Sequence, residues 1–393
     1  MAEKTMSLHA KIHFVNFSRK LTVTSVFFLV PLHFLSIGFN GWQIGIIMSF
    51  FALAPLLISF PTGWTNDRFS IAGVVHAALF AESLLFLLIA WAHSFSLMAA
   101  LFFLLGIANN ALDVSLNSMY YKDETEMDQN KKFGTYTFWV GLGPAIGVFA
   151  GGFLNQFGNF RTLLAVFSAF TLIVLLFVRR FDHERFCLVS FKEYRSNLLQ
   201  KKTLLFVVFI FILALHWGVE GTIYSPFLEK FFGLNKLQIS FYISIPLSAL
   251  ALTAFSVGFL RYNARINRRL LVLSMVLSGA GLILMVNRNV YVSLLFRILH
   301  EIGDGGLGVL ITLSISRLFE RRSIGGSAGL LIAIQIMGQM VGALVYSPLG
   351  YHYGLQYPFF ISGALLIADA AYGFFIFKQV DYYGPQRRLD QGS

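Results

Sequence analysis

Two similar stretches decide the fold: PLHFLSIGFNGWQIG at residues 31–45 and PFLEKFFGLNKLQIS at residues 226–240. They coincide at one gapless offset of 195 residues, which matches Pro31/Pro226, Gly38/Gly233, Asn40/Asn235, Gln43/Gln238 and Ile44/Ile239. The same offset pairs Gly63 with Gly258, Gly143 with Gly338, Gly147 with Gly342 and Asn109 with Asp304. Apolar segments resemble one another by chance, but Gly, Pro, Asn and Gln at a single offset do so much less easily. The chain is therefore predicted to consist of two similar halves.

Between these markers the sequence is too apolar for a soluble protein. Of 393 residues, 56% are hydrophobic and 12% are charged, whereas soluble domains are about 25% charged. A helix needs about 20 mostly apolar residues to cross a membrane, and the runs are continuous rather than alternating as in a β-barrel. Twelve spans are predicted, at residues 15–37, 43–62, 71–92, 96–119, 134–155, 161–178, 203–229, 238–259, 270–286, 290–318, 327–349 and 358–377.

The offset divides these spans into six plus six. We therefore expect an N-terminal half at residues 1–178, an inter-half linker at 179–202 that could contain an interfacial helix, and a C-terminal half at 203–393 that ends in a short tail. An even number of helices in each repeat makes the two halves parallel, related by an axis along the membrane normal. The predicted fold is all-α, with twelve transmembrane helices in two pseudo-symmetric halves around a central cavity.

The positive charge is unevenly distributed along this topology. With both termini inside, only four of the 30 Lys and Arg residues fall on the outer side, Arg161, Lys230, Lys236 and Arg288, and Arg297 falls within a span. This positive-inside bias predicts a multi-pass protein of the cytoplasmic membrane with cytoplasmic termini. It also explains the net charge of +11 without nucleic acid as a partner. The partners expected instead are membrane lipid, protons and a small solute, with the chain as a monomer.

The segment GWTNDRFS, residues 63–70, follows span 2. It resembles the loop signature of the major facilitator superfamily, which has Gly, three residues, Asp-Arg, an apolar residue and a small residue. The resemblance extends over essentially the whole chain. It implies that Gly63 permits close helix packing and that Asp67 and Arg68 make charge contacts that hold the inner side shut. The second copy keeps Gly258 but has Tyr262 in place of Asp67.

A second motif, GLGPAIGVFAGG in span 5, resembles part of a signature of proton-driven exporters. Gly143, Pro144 and Gly147 match it, but Trp139 and Val148 replace two of its glycines. These glycines also suit ordinary close packing of membrane helices. The motif therefore favours export only weakly, and we place Gly143, Pro144, Gly147 and Gly258 with Gly63, Asp67 and Arg68 among the expected gating residues.

Three polar stripes interrupt the apolar spans. Residues at i, i+3, i+4 and i+7 share a helix face, and span 10 places Arg297, His300, Glu301 and Asp304 at that spacing. Span 7 carries His216 and Glu220, and span 4 carries Asn109, Asn110, Asp113 and Asn117. An ionised residue at mid-bilayer costs roughly 2.5–3.5 kcal/mol, so these stripes should face a cavity or each other. In the family that the chain resembles, helices 1, 4, 7 and 10 line the cavity.

A carboxyl group in a low-dielectric site can hold a proton near neutral pH. We therefore predict proton coupling by Glu301, Asp304, Glu220 and Asp113. Solute binding is expected from the remaining stripe residues and from aromatic residues near them: Arg297, His300, His216, Asn109, Asn110, Asn117, Tyr136, Trp139, Trp217 and Tyr224. Four acidic residues and one arginine, Arg297, would give the cavity a net negative charge, which favours protons or a cationic solute. The resemblance places Glu82 and Asp369 in spans at the periphery of the bundle, where a structural role is expected.

Two other interpretations of the stripes stay open. Imidazole and carboxylate groups together also suit divalent transition metals, which makes metal transport an alternative function. The i,i+4 pairs Arg297/Glu301 and His300/Asp304 could instead be internal salt bridges that bind nothing.

The sequence as a whole predicts a proton-coupled secondary transporter that moves a small solute by alternating access, with export by antiport slightly favoured over symport or passive facilitation. A sensor or scaffold that kept the fold and lost transport is an alternative of another class. An enzyme is not expected, since no Ser/His/Asp set or cofactor motif occurs, and GDGGLG at residues 303–308 has no preceding strand. No cofactor is expected, and the single Cys187 allows neither a disulfide within the chain nor a cysteine metal site.

Overall fold

The computed structural model describes residues 7–123, 127–157, 159–178, 189–260 and 263–379. Within them lie fourteen α-helices and one 3-10 turn, Arg321–Ser323. The helices are α1 Leu8–Ser36, α2 Gly41–Arg68, α3 Ile71–Trp91, α4 Phe95–Lys122, α5 Gln129–Phe157, α6 Phe160–Val178, α7 Phe191–Leu198, α8 Lys201–Thr222, α9 Tyr224–Phe232, α10 Lys236–Phe259, α11 Ala264–Leu284, α12 Val290–Leu318, α13 Ile324–Tyr353 and α14 Tyr357–Gln379. Cys187, Tyr262 and the tail after residue 379 lie outside the described residues.

Twelve of these helices are long, and they confirm the predicted all-α membrane fold. Eleven described helices are long and apolar enough to cross a membrane by length and composition, and α1, with 29 residues, is the twelfth long helix. The predicted span at residues 203–229 is wrong in one respect, because it is broken. Helix α8 ends at Thr222, and a new helix, α9, begins at Tyr224 after Ile223.

The packing repeats between the two halves as the sequence does. In the first half α1 packs on α5, α2 on α4 and α3 on α6; in the second, α8 packs on α13, α10 on α12 and α11 on α14. The halves meet through two equivalent pairs, α2 with α13 and α5 with α10. Each half therefore supplies the same two helices to the interface, as expected for parallel repeats.

Local geometry explains the stretch that revealed the repeat. Gly38 and Gly233 have φ values of 92° and 69°, a backbone conformation that favours glycine. Asn40 and Asn235 then cap α2 and α10: each side chain accepts the backbone N–H of a glutamine, Gln43 at 2.9 Å and Gln238 at 3.0 Å. The glutamine side chains return the bond to the asparagine backbone, which completes a capping box in each half.

The halves touch closely at the end of the bundle that carries the α2–α3 turn and α7, which we call the basic end. There Gly63 of α2 faces the backbone of Gly325, and Gly258 of α10 faces Gly134 and the carbonyl of Asn130. A methyl group at either glycine would overlap backbone atoms of the opposite half. Both glycines, predicted as gating residues, therefore permit backbone-to-backbone contact between the halves.

Candidate transport cavity and buried charge cluster

A cavity of about 440 Å³ lies between the two halves. Helices α1, α4 and α5 line one side, and α8, α12 and α13 line the other. Its polar wall residues are Lys20, Asp113, Asn117, Tyr121, Tyr136, Thr137, Trp217, Thr312, Gln335 and Gln339. Among the predicted site residues, Asp113, Asn117, Tyr136 and Trp217 therefore reach this cavity.

The first half contributes a group of charges around Asp113. The guanidinium of Arg19 lies 2.5 Å from the Oδ1 atom of Asp113, and it also donates to the side-chain oxygen of Asn109 at 2.8 Å. Lys20 lies 3.7 Å from the same carboxylate oxygen. The side chain of Arg19 has no exposed surface, whereas those of Lys20 and Asp113 are 28% and 27% exposed. Arg19 is thus the buried partner of Asp113, and Lys20 faces the cavity.

The second half contributes a larger group, His216, Glu220, Arg297, His300, Glu301 and Asp304, which we call the histidine–carboxylate cluster. Arg297 lies 2.5 Å from Glu220 and 2.5 Å from Glu301. Its guanidinium also lies 4.4 Å from the centre of the Tyr224 ring, a cation–π geometry. All four stripe residues of α12 thus contact one another or the α8 stripe, as the sequence predicted for charges that avoid lipid.

The hydrogen bonds of the two histidines define where their protons lie. Nδ1 of His300 faces the carbonyl oxygen of Ser278 at 2.9 Å, and Nδ1 of His216 faces that of Leu213. A carbonyl oxygen only accepts, so both Nδ1 atoms carry hydrogen. On the other side, Nε2 of His300 lies 2.9 Å from Glu220 and Nε2 of His216 lies 3.2 Å from Asp304. Each Nε2–carboxylate contact therefore needs a further proton.

The same atoms bear on the metal alternative. Two overlapping triads, His216/His300/Asp304 and Glu220/His300/Glu301, each bring one ligand atom per residue within 4.8 Å of the others. In the second triad, however, Arg297 forms ion pairs with both carboxylates and already supplies the positive charge. In the first, the Ser278 hydroxyl donates to Asp304 at 2.6 Å. Both triads therefore already contain ion-pair or hydrogen-bond partners for their carboxylates, and metal transport stays an alternative to a proton-coupled function.

The cluster and the cavity are neighbours along two helices. Trp217, which lines the cavity, follows His216 on α8, and Gly308, also in the wall, is one helical turn from Asp304 on α12. One turn of helix advances about 5.4 Å. The histidine–carboxylate cluster therefore lies next to the cavity wall along α8 and α12.

At the basic end, Asp67 is buried where both halves and α7 meet. Its two carboxylate oxygens accept the backbone N–H groups of Gly325 at 3.0 Å and Gly326 at 2.7 Å. These are free donors in the first turn of α13, where the helix dipole favours negative charge. The hydroxyl of Tyr194 donates to Asp67 at 2.7 Å, and Lys122 lies 2.7 Å away. We call this set the Asp67 junction.

Two residues of this region differ from the sequence prediction. Arg68 makes another contact than expected, and Tyr194 was not predicted. Arg68 contacts the linker rather than the opposite half: it donates to the carbonyl of Val189 at 2.7 Å and lies 4.3 Å from the ring of Trp64. Tyr194, on α7, was not anticipated. Burial raises the pKa of the Tyr194 hydroxyl, and its hydrogen bond to Asp67 adds to that effect. It stays a donor at neutral pH.

Several predicted residues lie outside the cavity. Asn110 donates to Ser59 of α2 at 3.0 Å and is buried between α2 and α4. Trp139 stacks on His13 of α1 with ring centres 6.2 Å apart. Gly143 and Gly147 approach the α1 backbone, and Pro144 lies within α5 between them. The structure thus gives these residues packing contacts, and does not bring them to the cavity wall.

Other wall residues were missed by the sequence analysis. Arg19 and Lys20 fall near the first residue of the predicted span at residues 15–37, but α1 begins at Leu8 and carries them about three turns into the helix. Gln335 and Gln339 on α13 also line the cavity and were not predicted, since no charged residue of that span marks a polar stripe. Their spacing of four residues on one helix face was the available signal.

Comparisons with known proteins agree on the fold. The sequence profile of the Major Facilitator Superfamily matches residues 12–260 and 205–389. The human organic anion transporter MFSD10 superposes with a TM-score of 0.76 at 15% identity, covering 95% of this chain and 100% of that one. A variant of the E. coli fucose:proton symporter FucP gives 0.74 at 15% identity, covering 94% and 98%. FucP in an outward conformation gives 0.73 at 14% identity, covering 94% and 98%. No curated protein sequence matches. At such identities the neighbours establish the fold alone.

Proposed function

The chain belongs to the major facilitator superfamily of secondary transporters, and we propose that it couples movement of a small solute to protons held by the histidine–carboxylate cluster. The solute binds in the cavity between the halves. The halves rock about it to expose it to each side of the membrane in turn.

The number of charges and protons in the cluster supports this proposal. Three carboxylates and one arginine leave two negative charges when both histidines are neutral. The hydrogen-bond geometry needs one extra proton on each histidine–carboxylate pair, His300/Glu220 and His216/Asp304. Two extra protons bring the cluster to neutrality, the state that a buried site favours. The cluster is thus built to take up protons and to lose one when its surroundings become wet.

This assignment refines the residues expected from sequence. Glu301 is 3% exposed and ion-paired with Arg297. We propose that it holds Arg297 in place when Glu220 changes partner. Asp113 is ion-paired with Arg19 and belongs to the solute cavity. The transferable protons are assigned to the pairs that contain Glu220 and Asp304.

The Asp67 junction supplies a gate for alternating access. It joins α2 to the start of α13 and to α7, so it must open for the basic end to separate. By the positive-inside rule the basic end faces the cytoplasm, in a protein of the cytoplasmic membrane with both termini inside. The structure described here then corresponds to the state closed to the cytoplasm. The monomer contains a complete cavity and cluster, and we propose it as the working unit.

The test measures transport by purified protein in liposomes. The substrate is a solute that raises the melting temperature of the wild-type protein. Asp304→Asn is expected to lose accumulation driven by a pH gradient and to retain exchange of labelled for unlabelled solute. Loss of proton release blocks net movement but not exchange. Glu229→Gln, an exposed position on α9, is the matched control and should behave as wild type. Normal pH-driven accumulation by Asp304→Asn and Glu220→Gln would refute proton coupling at the cluster.

The same assay addresses the two alternatives. A sensor or scaffold would bind a ligand without exchanging it across the membrane. A metal transporter would accumulate a divalent ion and lose this ability in His216→Ala. Export, which the span 5 motif favours weakly, requires that the pH gradient drive solute in the opposite direction to protons.

A further inference from the structure

We infer that the solute is a small organic monoanion, bound through its acid group to Lys20. This inference rests on the proposed function, since it assigns the cavity to the transported solute. It replaces the cationic solute that the sequence suggested from four acids facing one arginine.

The positive charge at the cavity wall is not balanced by the protein. Among the described residues, Asp113 is the only acid in the wall of this cavity, and its Oδ1 atom already lies 2.5 Å from Arg19. Lys20 approaches the same oxygen only to 3.7 Å. Two cations and one carboxylate leave one positive charge, and of the two cations Lys20 is the one with exposed surface. An anion in the cavity would complete the pairing.

Glu82 is the other acid near Arg19, and it does not change this count. It is fully buried, and neither carboxylate oxygen has a hydrogen-bond partner among the residues that the structure describes. An isolated buried carboxylate is so costly that the group takes up a proton instead. Glu82 is therefore neutral and leaves the charge of Lys20 unopposed.

The rest of the wall fits a polar organic body. Gln335 and Gln339 lie one turn apart on α13, and Trp217 lies on α8. Within the described residues, none of these three side chains has a hydrogen-bond partner, so two amides and an indole N–H are available to the solute. The amides both donate and accept, and the indole face offers an apolar surface. A plain inorganic anion would leave these groups unused.

Charge and size set the remaining limits. A single unbalanced lysine matches one negative charge, whereas a dianion would bring a second charge into the site without a partner. The volume of about 440 Å³ is near the lower end of the range for small-molecule pockets, about 300–1,000 Å³. The site thus suits a monocarboxylate with several hydrogen-bonding groups, such as a sugar acid, in preference to a large amphipathic drug.

The experiment uses the purified full-length chain in detergent and measures its melting temperature with two matched series. One series is galacturonate, galactose and galactosamine; the other is benzoate, benzamide and benzylamine. Each series keeps its ring and compares an anionic, a neutral and a cationic member. A ligand that binds the native state raises the melting temperature. We expect a carboxylate to stabilise the protein more than its neutral and cationic partners.

Three variants locate the effect. Lys20→Gln is expected to weaken carboxylate binding by about tenfold or more, the loss of a hydrogen bond to a charged group, whereas Lys20→Arg retains binding in part. Lys236→Gln, at an exposed lysine of α10, should bind as wild type. The melting temperature without ligand shows whether Lys20→Gln is folded, and if it is not, Lys20→Met replaces it.

The inference is overturned if the neutral or cationic member of a series stabilises best, if no carboxylate stabilises, or if stabilisation persists without the lysine. Failure of proton coupling gives a different result. In that case carboxylate binding depends on Lys20 as expected, while Asp304→Asn still accumulates solute with a pH gradient.

Discussion

Tyr194→Phe tests the Asp67 junction with the least change to the protein. The substitution removes one hydroxyl, which donates to Asp67 at 2.7 Å, and keeps the ring that packs on Gly326. A hydrogen bond to a charged group contributes about 1.5–3 kcal/mol. Asp67 keeps Lys122 and the two α13 backbone donors, so its charge is not left unpaired. We therefore take the lower end, about 1.5 kcal/mol, as the cost to the closed state.

We expect that cost to change the population of the closed state, because opening the junction would separate Asp67 of α2 from its partners on α13 and α7. A free-energy change of about 1.4 kcal/mol is a tenfold change in an equilibrium constant, so the open-to-closed ratio at the basic end should rise about tenfold. Spin labels at Phe69→Cys and Leu260→Cys, exposed positions in opposite halves, would report it in a Cys187→Ser background. The distance distribution should gain a longer component.

The control is Tyr357→Phe, at a partly exposed tyrosine that begins α14. It should leave the distribution unchanged. Asp67→Asn should increase the long component further, since it weakens every bond in the junction. An unchanged distribution in both Tyr194→Phe and Asp67→Asn would refute the role of the junction as a gate.

Four further predictions follow from the same contacts. Gly258→Leu should hold the basic end open in the spin-label measurement, because the side chain would overlap the backbone of α5. Arg19→Ala should lower the free energy of unfolding by about 3 kcal/mol in thermal or denaturant unfolding, the low end for breaking a buried pair, since Asp113 is partly exposed and keeps Lys20. Glu82→Gln should change that free energy by less than about 1 kcal/mol, because a neutral carboxyl and an amide are similar in size; a larger loss would mean that Glu82 is ionised. The contribution of Tyr194 should be constant from neutral pH to about pH 10, the ordinary pKa of tyrosine, and should decline as the pH rises above that value towards its raised pKa, which the spin-label distances would follow.

The repeat was predictable because its residues act locally. A capping box and a left-handed glycine depend only on residues that are neighbours in sequence. Asn40 and Gln43 therefore indicate the start of a helix from the local sequence. The second copy at Asn235 and Gln238 does the same. The long apolar runs gave the spans for a similar reason, since membrane thickness alone sets their length. Local rules thus determined most of the fold.

The parts that were missed depend on distant contacts. Asp67 meets Gly325 across 258 positions of sequence, and no local pattern indicates that α13 begins opposite the α2–α3 turn. Arg19 pairs with Asp113 across 94 positions of sequence. This contact was not predictable from a span that begins at residue 15, because the helix in fact begins at Leu8. The break at Ile223 could not be read from an apolar run that continues through it.

If the cavity binds an anion and the cluster binds protons, as proposed, the two sites together favour one sign of coupling. An anion on Lys20 and a proton at Asp304 attract each other, because the cluster lies about one helical turn from the cavity wall. Opposite charges in a site of low effective dielectric constant attract each other more strongly than they would in water. Binding linkage is reciprocal, so the anion favours the proton and the proton favours the anion. A carrier in which the two ligands help each other moves them together, which favours symport. Gly143 and Gly147, the basis of the export interpretation, are explained by their packing on α1. A monoanion carried with one proton is electroneutral, so its transport should follow the pH gradient and not the membrane potential.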